Sequence, residues 1–194
     1  MQALGPGTVV LVVGPSGAGK DALIHGARAL LGSGGRFVFM ERHISRPPHA
    51  AEAHMALSEA AFAEACARGD YALTWAAHGL QYGIPVALDQ RVREGCTAVL
   101  NASRTIIAAA RQRYARVRIV LVDCDPEIRA VRLAMRGRES LADLRERLTR
   151  TVAGFDPAAV DARIDNSGSL EAGIDRFAAT LRAVAADTPQ PANG

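Results

Sequence analysis

The chain is organised around the stretch Gly14-Pro15-Ser16-Gly17-Ala18-Gly19-Lys20-Asp21. It follows an apolar, largely β-branched run, residues 8–13, and precedes a segment whose apolar residues recur at helical spacing. Strand, glycine-rich turn and helix together are the context of a P-loop. The glycines let successive backbone N–H groups converge on phosphate oxygens, the helix N-terminus adds a positive field, and Lys20 reaches the β- and γ-phosphates. The pattern therefore predicts that residues 14–21 bind ATP, in preference to a glycine-rich turn without a ligand.

One residue of this motif is unusual. The position after the lysine is ordinarily Ser or Thr, whose hydroxyl binds Mg²⁺, and here it is Asp21. A carboxylate is also a good ligand for a hard cation, so the sequence predicts a role for Asp21 in holding Mg²⁺. The alternative, that Asp21 only caps the helix, stays open from the sequence alone.

Length and composition restrict the classes of protein. The 194 residues suit one domain, predicted to cover residues 1–186, with a disordered tail over 187–194. No apolar run is long enough for a membrane span. The arginines are dispersed, without a basic run or an aromatic platform, so neither nucleic acid nor membrane is indicated as a partner. The three cysteines are widely separated and odd in number, which favours free thiols in the cytoplasm: Cys66, Cys96 and Cys124.

Strand-like and helical segments alternate along the chain, which predicts a three-layer α/β fold with a mostly parallel central sheet. Residues 41–57 have little periodicity and are interpreted as a loop-rich excursion, and 78–85 as a turn because of their two glycines. A helix that begins at Asp125-Pro126 is expected to face the core with Ile128, Val131 and Met135. The central strands are predicted at 8–13, 37–40, 97–100, 117–123 and 162–164.

The two departures from a simple alternation, an insertion over about 41–85 and a break near Arg138, resemble the nucleoside monophosphate kinases. In those proteins the insertions form an acceptor-binding subdomain and a lid, here expected at about 136–147. More closely, three segments resemble the guanylate kinase branch: Ile44-Ser45-Arg46-Pro47-Pro48, Trp75-Ala76-Ala77-His78-Gly79-Leu80-Gln81-Tyr82-Gly83, and Arg132-Leu133-Ala134-Met135-Arg136-Gly137-Arg138-Glu139-Ser140. The resemblance implies a P-loop kinase fold.

That resemblance also assigns roles to residues. Arg46 and Tyr82 are implied to hold the phosphate of the acceptor, and we add Arg42 and Arg104 as further candidates. His49 occupies the place of the family's second phosphate-binding arginine, and His54 falls near its acceptor-loop tyrosine. The lid arginines are implied to contact the transferred phosphate: Arg136, Arg138 and Arg147. The alternative for each of them is a solvated charge on the surface.

Guanylate kinases bind guanine through a glutamate after Trp-Ala and a Ser or Thr after Tyr-Gly, but this chain has Ala77 and Ile84 there. Neither side chain can hydrogen-bond a base, so the acceptor site cannot select guanine. The chain thus keeps most of the phosphate-binding residues and lacks the base-binding ones. This combination resembles the ribose 1,5-bisphosphate phosphokinase family of phosphonate catabolism, which also shares the aspartate of the P-loop and the segments 54–58 and 99–104. That resemblance implies ATP-dependent formation of 5-phosphoribosyl 1-diphosphate, with ATP and a phosphorylated sugar as partners.

Guanylate kinases have an aspartate at the end of the third strand, and in this chain that position holds Asn101. We therefore predict that the metal-binding carboxylate has moved from position 101 to Asp21, with Mg²⁺ held near both residues. Two alternatives to the sugar kinase remain: a nucleoside monophosphate kinase with unusual base recognition, and a non-catalytic guanylate-kinase-like interaction module. The oligomeric state is left open, with a homodimer among the options.

Overall fold

The structure is a computed structural model that describes residues 2–32, 35–46, 55–77, 79–135, 155–156, 158 and 160–189. Within these ranges a parallel sheet of five strands forms the centre, in the spatial order β2-β7-β1-β8-β9. The strands are β1 (Thr8–Val13), β2 (Phe37–Met40), β7 (Thr97–Asn101), β8 (Val117–Asp123) and β9 (Ala162–Asp165). All six residues of β1 are buried, as expected for a central parallel strand covered on both faces.

Helices cover both faces of this sheet. The helices of the described residues are α1 (Lys20–Leu31), α2 (Glu59–Arg68), α3 (Ala87–Arg93), α4 (Ile107–Arg113, after a 3-10 turn at Arg104–Ile106), α5 (Pro126–Ala134) and α6 (Leu170–Ala186). Of these, α2 packs against strands of the insertion and not against the five-stranded sheet. Alternate residues of β1 point into two separate apolar clusters, because side chains alternate across a strand. Val9 and Leu11 pack with residues of α3 and α4, whereas Val10 and Val12 pack with residues of α1 and α6. The predicted three-layer α/β fold with a parallel sheet is confirmed.

A second sheet of four strands, in the order β4-β3-β6-β5, occupies the described part of the insertion. It consists of β3 (His43–Ser45), β4 (Met55–Leu57), β5 (Tyr71–Ala77) and β6 (Leu80–Pro85). The loop predicted at 41–57 is therefore wrong where β3 and β4 lie, and the turn predicted at 78–85 is wrong because 80–85 pairs antiparallel with β5. Gly83 is not a turn residue: the ring of Tyr71 occupies the space that a side chain at Gly83 would fill.

The domain continues past residue 186. Thr188 is buried, and its hydroxyl lies 2.8 Å from that of Thr8 at the start of β1. Arg36 and Arg116 donate to the carbonyl groups of Thr188 and Asp187, each at 3.3 Å. The prediction of a disordered tail from residue 187 is therefore wrong for Asp187 and Thr188, and 190–194 lie outside the described residues.

A buried ion pair joins α3 to α4. Asp89 accepts hydrogen bonds from Arg113, through Nε at 2.9 Å and through Nη2, and from the hydroxyl of Tyr114 at 2.7 Å. These bonds outweigh the desolvation of the carboxyl by burial, which alone would act the other way, so the pKa of Asp89 lies below its ordinary value. In the ranges that the structure describes, no helix is both long and apolar enough to cross a bilayer.

Candidate active site

The P-loop connects β1 to α1, and its shape depends on glycine at three positions. Gly14, Gly17 and Gly19 have φ angles of 145°, 82° and 91°, which residues with a side chain rarely adopt. Neighbouring elements also fill the space beside them. A Cβ at Gly14 would overlap the carbonyl of Val122 in β8, and one at Gly17 would lie 2.8 Å from the Cγ of Arg129 in α5. The loop is therefore fixed by its own backbone and by the elements around it.

Lys20 is the first residue of α1, and its side chain folds back over the loop. Its Nζ donates to the carbonyl oxygen of Gly14 at 2.8 Å and to that of Pro15 at 2.9 Å. The ammonium group is thus held at the mouth of the P-loop, beside the N-terminus of α1. An ammonium group at this position stands beside the backbone N–H groups of the loop, which is where the sequence predicts phosphate oxygens to bind.

Asn166 braces the P-loop from behind, and the sequence analysis missed it. It follows β9, its backbone N–H donates to the carbonyl of Asp123 at 2.8 Å, and its side chain is 1% exposed. The Nδ2 group donates to the carbonyl of Ala18 at 2.8 Å. Gly19 and Gly173 leave the room for this side chain. The available signal was a polar residue directly after the last parallel strand, at the sheet edge where ligands bind in α/β folds.

The structure brings Asp21 and Asn101 into contact. Asn101 ends β7, in register with Val12 of β1, and its Nδ2 donates to Asp21 Oδ1 at 2.5 Å. The other side-chain atom of the amide, Oδ1, is buried and has no hydrogen-bond partner among the described residues. Asp21 lies in the first turn of α1, and the N-cap position is Gly19. The carboxylate of Asp21 and the amide group of Asn101 are therefore neighbours beside the P-loop, and both groups carry oxygen atoms that suit a hard cation.

Arg42 connects this pair to the second sheet. Its Nη2 lies 3.6 Å from Asp21 Oδ2, and its guanidinium lies over the ring of Tyr82, 5.6 Å from the ring centre. Tyr82 in turn stacks on Trp75, with ring centres 5.2 Å apart and planes inclined by 6°. Three residues predicted as site residues thus form one continuous set of contacts: Asp21, Arg42 and Tyr82.

The other predicted acceptor residues have separate surroundings. Arg46 directly follows β3, where Ser45 Oγ accepts a hydrogen bond from the backbone N–H of Gln81 at 2.8 Å and so ties β3 to β6. Arg104 begins the 3-10 turn after β7, with its guanidinium 5.3 Å from the ring centre of Phe155. Five predicted site residues lie outside the described residues: His49, His54, Arg136, Arg138 and Arg147.

The positions that would contact a base are apolar in the structure as well. Ile84 is fully buried in the apolar cluster that also contains Leu73 and Leu88. Ala77 ends β5, opposite Leu80. Neither side chain carries a polar atom. The described part of the insertion therefore offers aromatic and cationic groups near Asp21, and no base-reading side chain at these two positions.

Helix α5 turns a cationic face toward the P-loop. Val131 and Met135, predicted to face the core, are 59% and 83% exposed, so that prediction is wrong. Arg129 instead packs against Gly17, and Arg132 Nη1 lies 3.8 Å from where a Cβ of Gly19 would be. Within the described ranges this buried nitrogen has no hydrogen-bond partner. The two guanidinium groups raise the positive potential where phosphate oxygens are expected.

Two further groups near the site have shifted pKa values. His43 Nδ1 lies 3.0 Å from the hydroxyl of Tyr71, and burial holds the pKa of its imidazole below the ordinary value, against the opposing charges of Asp70 and Glu41. Behind the P-loop, burial raises the pKa of the Cys124 thiol, whose Sγ lies 4.0 Å from the carbonyl of Gly17. Cys124 is therefore a neutral thiol that supports the loop.

Comparison with known proteins identifies the family to which the chain belongs. No family model matches the chain. A protein of Methylobacterium radiotolerans named "Ribose 1,5-bisphosphate phosphokinase PhnN" is 47% identical over 178 residues, which cover 92% of this chain and 99% of that protein. Proteins of the same name from Brucella melitensis and Bradyrhizobium diazoefficiens are 42% and 43% identical, over 97% and 87% of this chain and 99% and 85% of theirs. The chain belongs to the ribose 1,5-bisphosphate phosphokinase family. The resemblance drawn from the sequence motifs is thereby confirmed, and the family is one of phosphotransferases.

Solved structures support the fold. A guanylate kinase from Anaplasma phagocytophilum superimposes with a TM-score of 0.64 at 18% identity, over 94% of this chain and 88% of that one. A sugar kinase from Janibacter gives a TM-score of 0.52 at 19% identity, over 96% of this chain and 100% of that one. The guanylate-kinase-like fold is therefore shared.

Proposed function

We propose that this chain transfers the γ-phosphoryl group of ATP to the C1 phosphate of ribose 1,5-bisphosphate, forming 5-phosphoribosyl 1-diphosphate and ADP. An oxygen of the C1 phosphate attacks the γ-phosphorus, and the bond between that phosphorus and the β–γ bridging oxygen breaks. The attacking group is already ionised, so the step needs no general base. Catalysis then depends on position and on neutralising charge along an in-line transfer.

The observation that carries this proposal is the contact set around Asp21. Arg42 lies between the P-loop helix and Tyr82, so a cation and an aromatic hydroxyl residue are available beside the place where the γ-phosphate is expected. Guanylate kinases have a Ser or Thr that contacts guanine at the position held here by Ile84. In this chain Ile84 is buried in the apolar cluster that contains Leu73 and Leu88. A site with these groups selects its acceptor by anionic groups and not by a heterocycle.

Each of the site residues that the structure describes has a role in this scheme. Lys20 binds the β- and γ-phosphates, with the backbone of residues 14–21 around them. Arg42, Arg46 and Tyr82 hold the phosphates of the acceptor, with Arg104 as a further contact. We extend the scheme to the lid over about 136–147, whose arginines would contact the transferred group, and to His49 and His54 in the acceptor insertion.

The residues present fit a magnesium ion. The carboxylate of Asp21 and the buried carbonyl oxygen of Asn101, which lacks a hydrogen-bond partner among the described residues, are the oxygen ligands that Mg²⁺ prefers. When bound there, Mg²⁺ would neutralise charge on the β- and γ-phosphate oxygens. The chain's own part is to hold these two oxygens next to the P-loop. We further place the reaction in phosphonate catabolism in the cytoplasm, on the family resemblance, and leave the oligomeric state to measurement.

The test is ADP release in a coupled assay with four acceptors: ribose 1,5-bisphosphate, GMP, dGMP and AMP. We expect turnover with the sugar phosphate alone. Turnover with GMP in its absence would instead identify a nucleoside monophosphate kinase, and no turnover with any acceptor, together with no ATP binding, would identify an interaction module. The Lys20→Met variant is the control for contaminating kinases, because it removes the ammonium group and leaves the loop glycines in place.

A further inference from the structure

Two buried polar atoms lie on either side of Asp21, and they need opposite kinds of ligand. Arg42 Nε is a donor and Asn101 Oδ1 is an acceptor, and neither has a hydrogen-bond partner in the part of the chain that the structure describes. Leaving such atoms buried costs free energy unless a ligand satisfies them. An anion suits the first and a cation the second, and the Asp21 carboxylate lies between them.

We infer that Arg42 is a coupling residue that holds Asp21 in the free enzyme and releases it when the acceptor phosphate binds. The released carboxylate then binds the Mg²⁺ of MgATP. This inference rests on the proposed function, because it assumes that the acceptor carries a phosphate that reaches Arg42. It goes beyond that function by stating that the two substrates strengthen each other's binding through one side chain.

The geometry of Arg42 supports an exchange. Its contact with Asp21 is long, 3.6 Å, and half of the aspartate side chain is exposed, so the ion pair is weak and easily broken. The Arg42 side chain is 17% exposed, and its guanidinium lies over the ring of Tyr82, so a short movement is enough to exchange the carboxylate of Asp21 for an acceptor phosphate beside Tyr82. A phosphate accepts two parallel hydrogen bonds from an arginine, which a single contact at this distance cannot match.

The exchange has a thermodynamic consequence. While Arg42 is paired with Asp21, Mg²⁺ must displace a cation in order to use the carboxylate. When the acceptor phosphate is bound, Arg42 has already left Asp21, and Mg²⁺ no longer has to displace it. The acceptor therefore raises the affinity for the metal–nucleotide complex, and by reciprocity the metal–nucleotide complex raises the affinity for the acceptor by the same factor.

The first experiment needs no acceptor. The dissociation constant of an ATP analogue with a non-hydrolysable β–γ linkage is measured by calorimetry with Mg²⁺ and with EDTA. The dissociation constant with EDTA divided by that with Mg²⁺ is called the metal advantage. In Arg42→Gln we expect the metal advantage to rise by about fivefold or more, since the guanidinium that the structure shows beside Asp21 Oδ2 is removed while the contact with Asn101 stays. A residue that only stabilised the fold, or only held the acceptor, would leave this ratio unchanged. Arg28→Gln is the matched control, because it removes an exposed arginine paired with Glu41 at 3.3 Å.

A double-mutant cycle separates this effect from the loss of one positive charge near ATP. In the Asp21→Asn background, Arg42→Gln should no longer change the metal advantage, because the carboxylate through which it acts is absent. An effect of equal size in both backgrounds would overturn the inference, as would an unchanged or smaller metal advantage in Arg42→Gln itself. If Arg42→Gln fails to fold, as judged by circular dichroism, the same measurements are made on Arg42→Met.

The second experiment uses the unmodified protein. Saturating ribose 1,5-bisphosphate should raise the metal advantage by about fivefold or more in the wild type and have little effect in Arg42→Gln. Binding of the sugar phosphate without any change in the metal advantage would overturn the inference and leave the proposed function intact. Failure of the sugar phosphate to bind would contradict the proposed function, and the experiment without acceptor would then decide the role of Arg42.

Discussion

Gly19 shows how strongly the P-loop restricts a single residue. It has a φ of 91°, and the amide of Asn166 fills the place of its missing side chain. We expect Gly19→Ala to lower the free energy of unfolding by about 1–3 kcal/mol through strain, and to abolish ATP binding because the Asn166 brace is displaced. Urea denaturation and calorimetric titration with ATP measure the two effects.

Gly69 provides a matched control for this substitution. Its φ of 77° is similarly unfavourable for alanine, but among the described residues no heavy atom beyond its chain neighbours lies within 4 Å of the place that its Cβ would take. Gly69→Ala therefore carries the backbone strain without the collision, and it should retain ATP binding. Equal loss of ATP binding in both variants would mean that the contact with Asn166 is not what shapes the loop.

The pair of Asp21 and Asn101 makes a second prediction at the scale of single residues. Asp21→Ser restores the residue that is ordinary after the P-loop lysine, but it leaves an amide where a carboxylate is expected at the end of β7. We expect this variant to need roughly tenfold more Mg²⁺ for half-maximal rate, because one charged ligand, worth about 1.4 kcal/mol or more, is lost. The double variant Asp21→Ser/Asn101→Asp should recover most of the affinity. Unchanged Mg²⁺ dependence in Asp21→Ser would contradict the shift of the carboxylate.

At the scale of elements, the β5–β6 hairpin carries its own optical probe. Trp75 is the sole tryptophan of the chain, and it stacks on Tyr82, which also contacts Arg42. Acceptor binding should therefore change the tryptophan emission. Tyr82→Leu should remove that change and raise the KM for the acceptor by about tenfold or more, with little effect on the KM for ATP, because a hydrogen bond to a charged group is worth about 1.5–3 kcal/mol.

Tyr71→Phe is the comparison for the hairpin. Tyr71 lies on β5, the strand of Trp75, but its ring stacks on Phe62 and its hydroxyl contacts His43. The emission change and the acceptor KM should remain close to those of the wild type. A tenfold rise in this variant as well would indicate that any disturbance of the second sheet weakens acceptor binding.

The sequence predicts the central elements well because burial on two faces demands continuous apolar runs. The predicted strands 8–13 and 117–123 agree with β1 and β8 at both ends. It fails for β6, because Gly83 resembles a turn residue but exists to accommodate the ring of Tyr71. Non-local packing of this kind leaves no trace in local spacing, so the hairpin could not be distinguished from a turn.

The site is predictable where the backbone motif carries the chemistry. The P-loop and the contact of Asp21 with Asn101 follow from strand ends that meet at one edge of a parallel sheet. Asn166, Arg129 and Arg132 escape the sequence analysis for a physical reason. Helix α5 packs against a polar loop, so its inner face holds Arg129 and Arg132 beside the buried Leu133, whereas the apolar Val131 faces solvent.

At the scale of the whole molecule, the ion pair of Asp89 with Arg113 and Tyr114 predicts how stability depends on pH. The pKa of Asp89 is lower in the folded chain than in the unfolded one. Its contribution is therefore complete above the ordinary pKa of about 3.9 and is lost as the pH falls through the folded-state value. Asp89→Asn should cost about 2 kcal/mol at pH 7, because it leaves Arg113 with a weakened partner.

Chemical denaturation of both proteins between pH 7 and pH 3 tests this prediction. The difference in the free energy of unfolding between wild type and Asp89→Asn should shrink as the carboxyl of the wild type becomes protonated. Glu94→Gln is the control. Glu94 is an exposed carboxylate that pairs with Arg91 at 3.0 Å, so its substitution should change the free energy of unfolding little at every pH. A difference for Asp89→Asn that stays constant with pH would show that packing, not charge, is what the substitution removes.

The supports of the P-loop have a consequence for the order of events on the ribosome. Residues 14–21 leave the exit tunnel early, but the groups that shape them belong to Val122, Arg129 and Asn166, about 100 residues or more further along the chain. A nascent chain therefore cannot capture a nucleotide until most of it has been translated. ATP can stabilise the finished protein against unfolding, but it cannot template the early stages of its maturation.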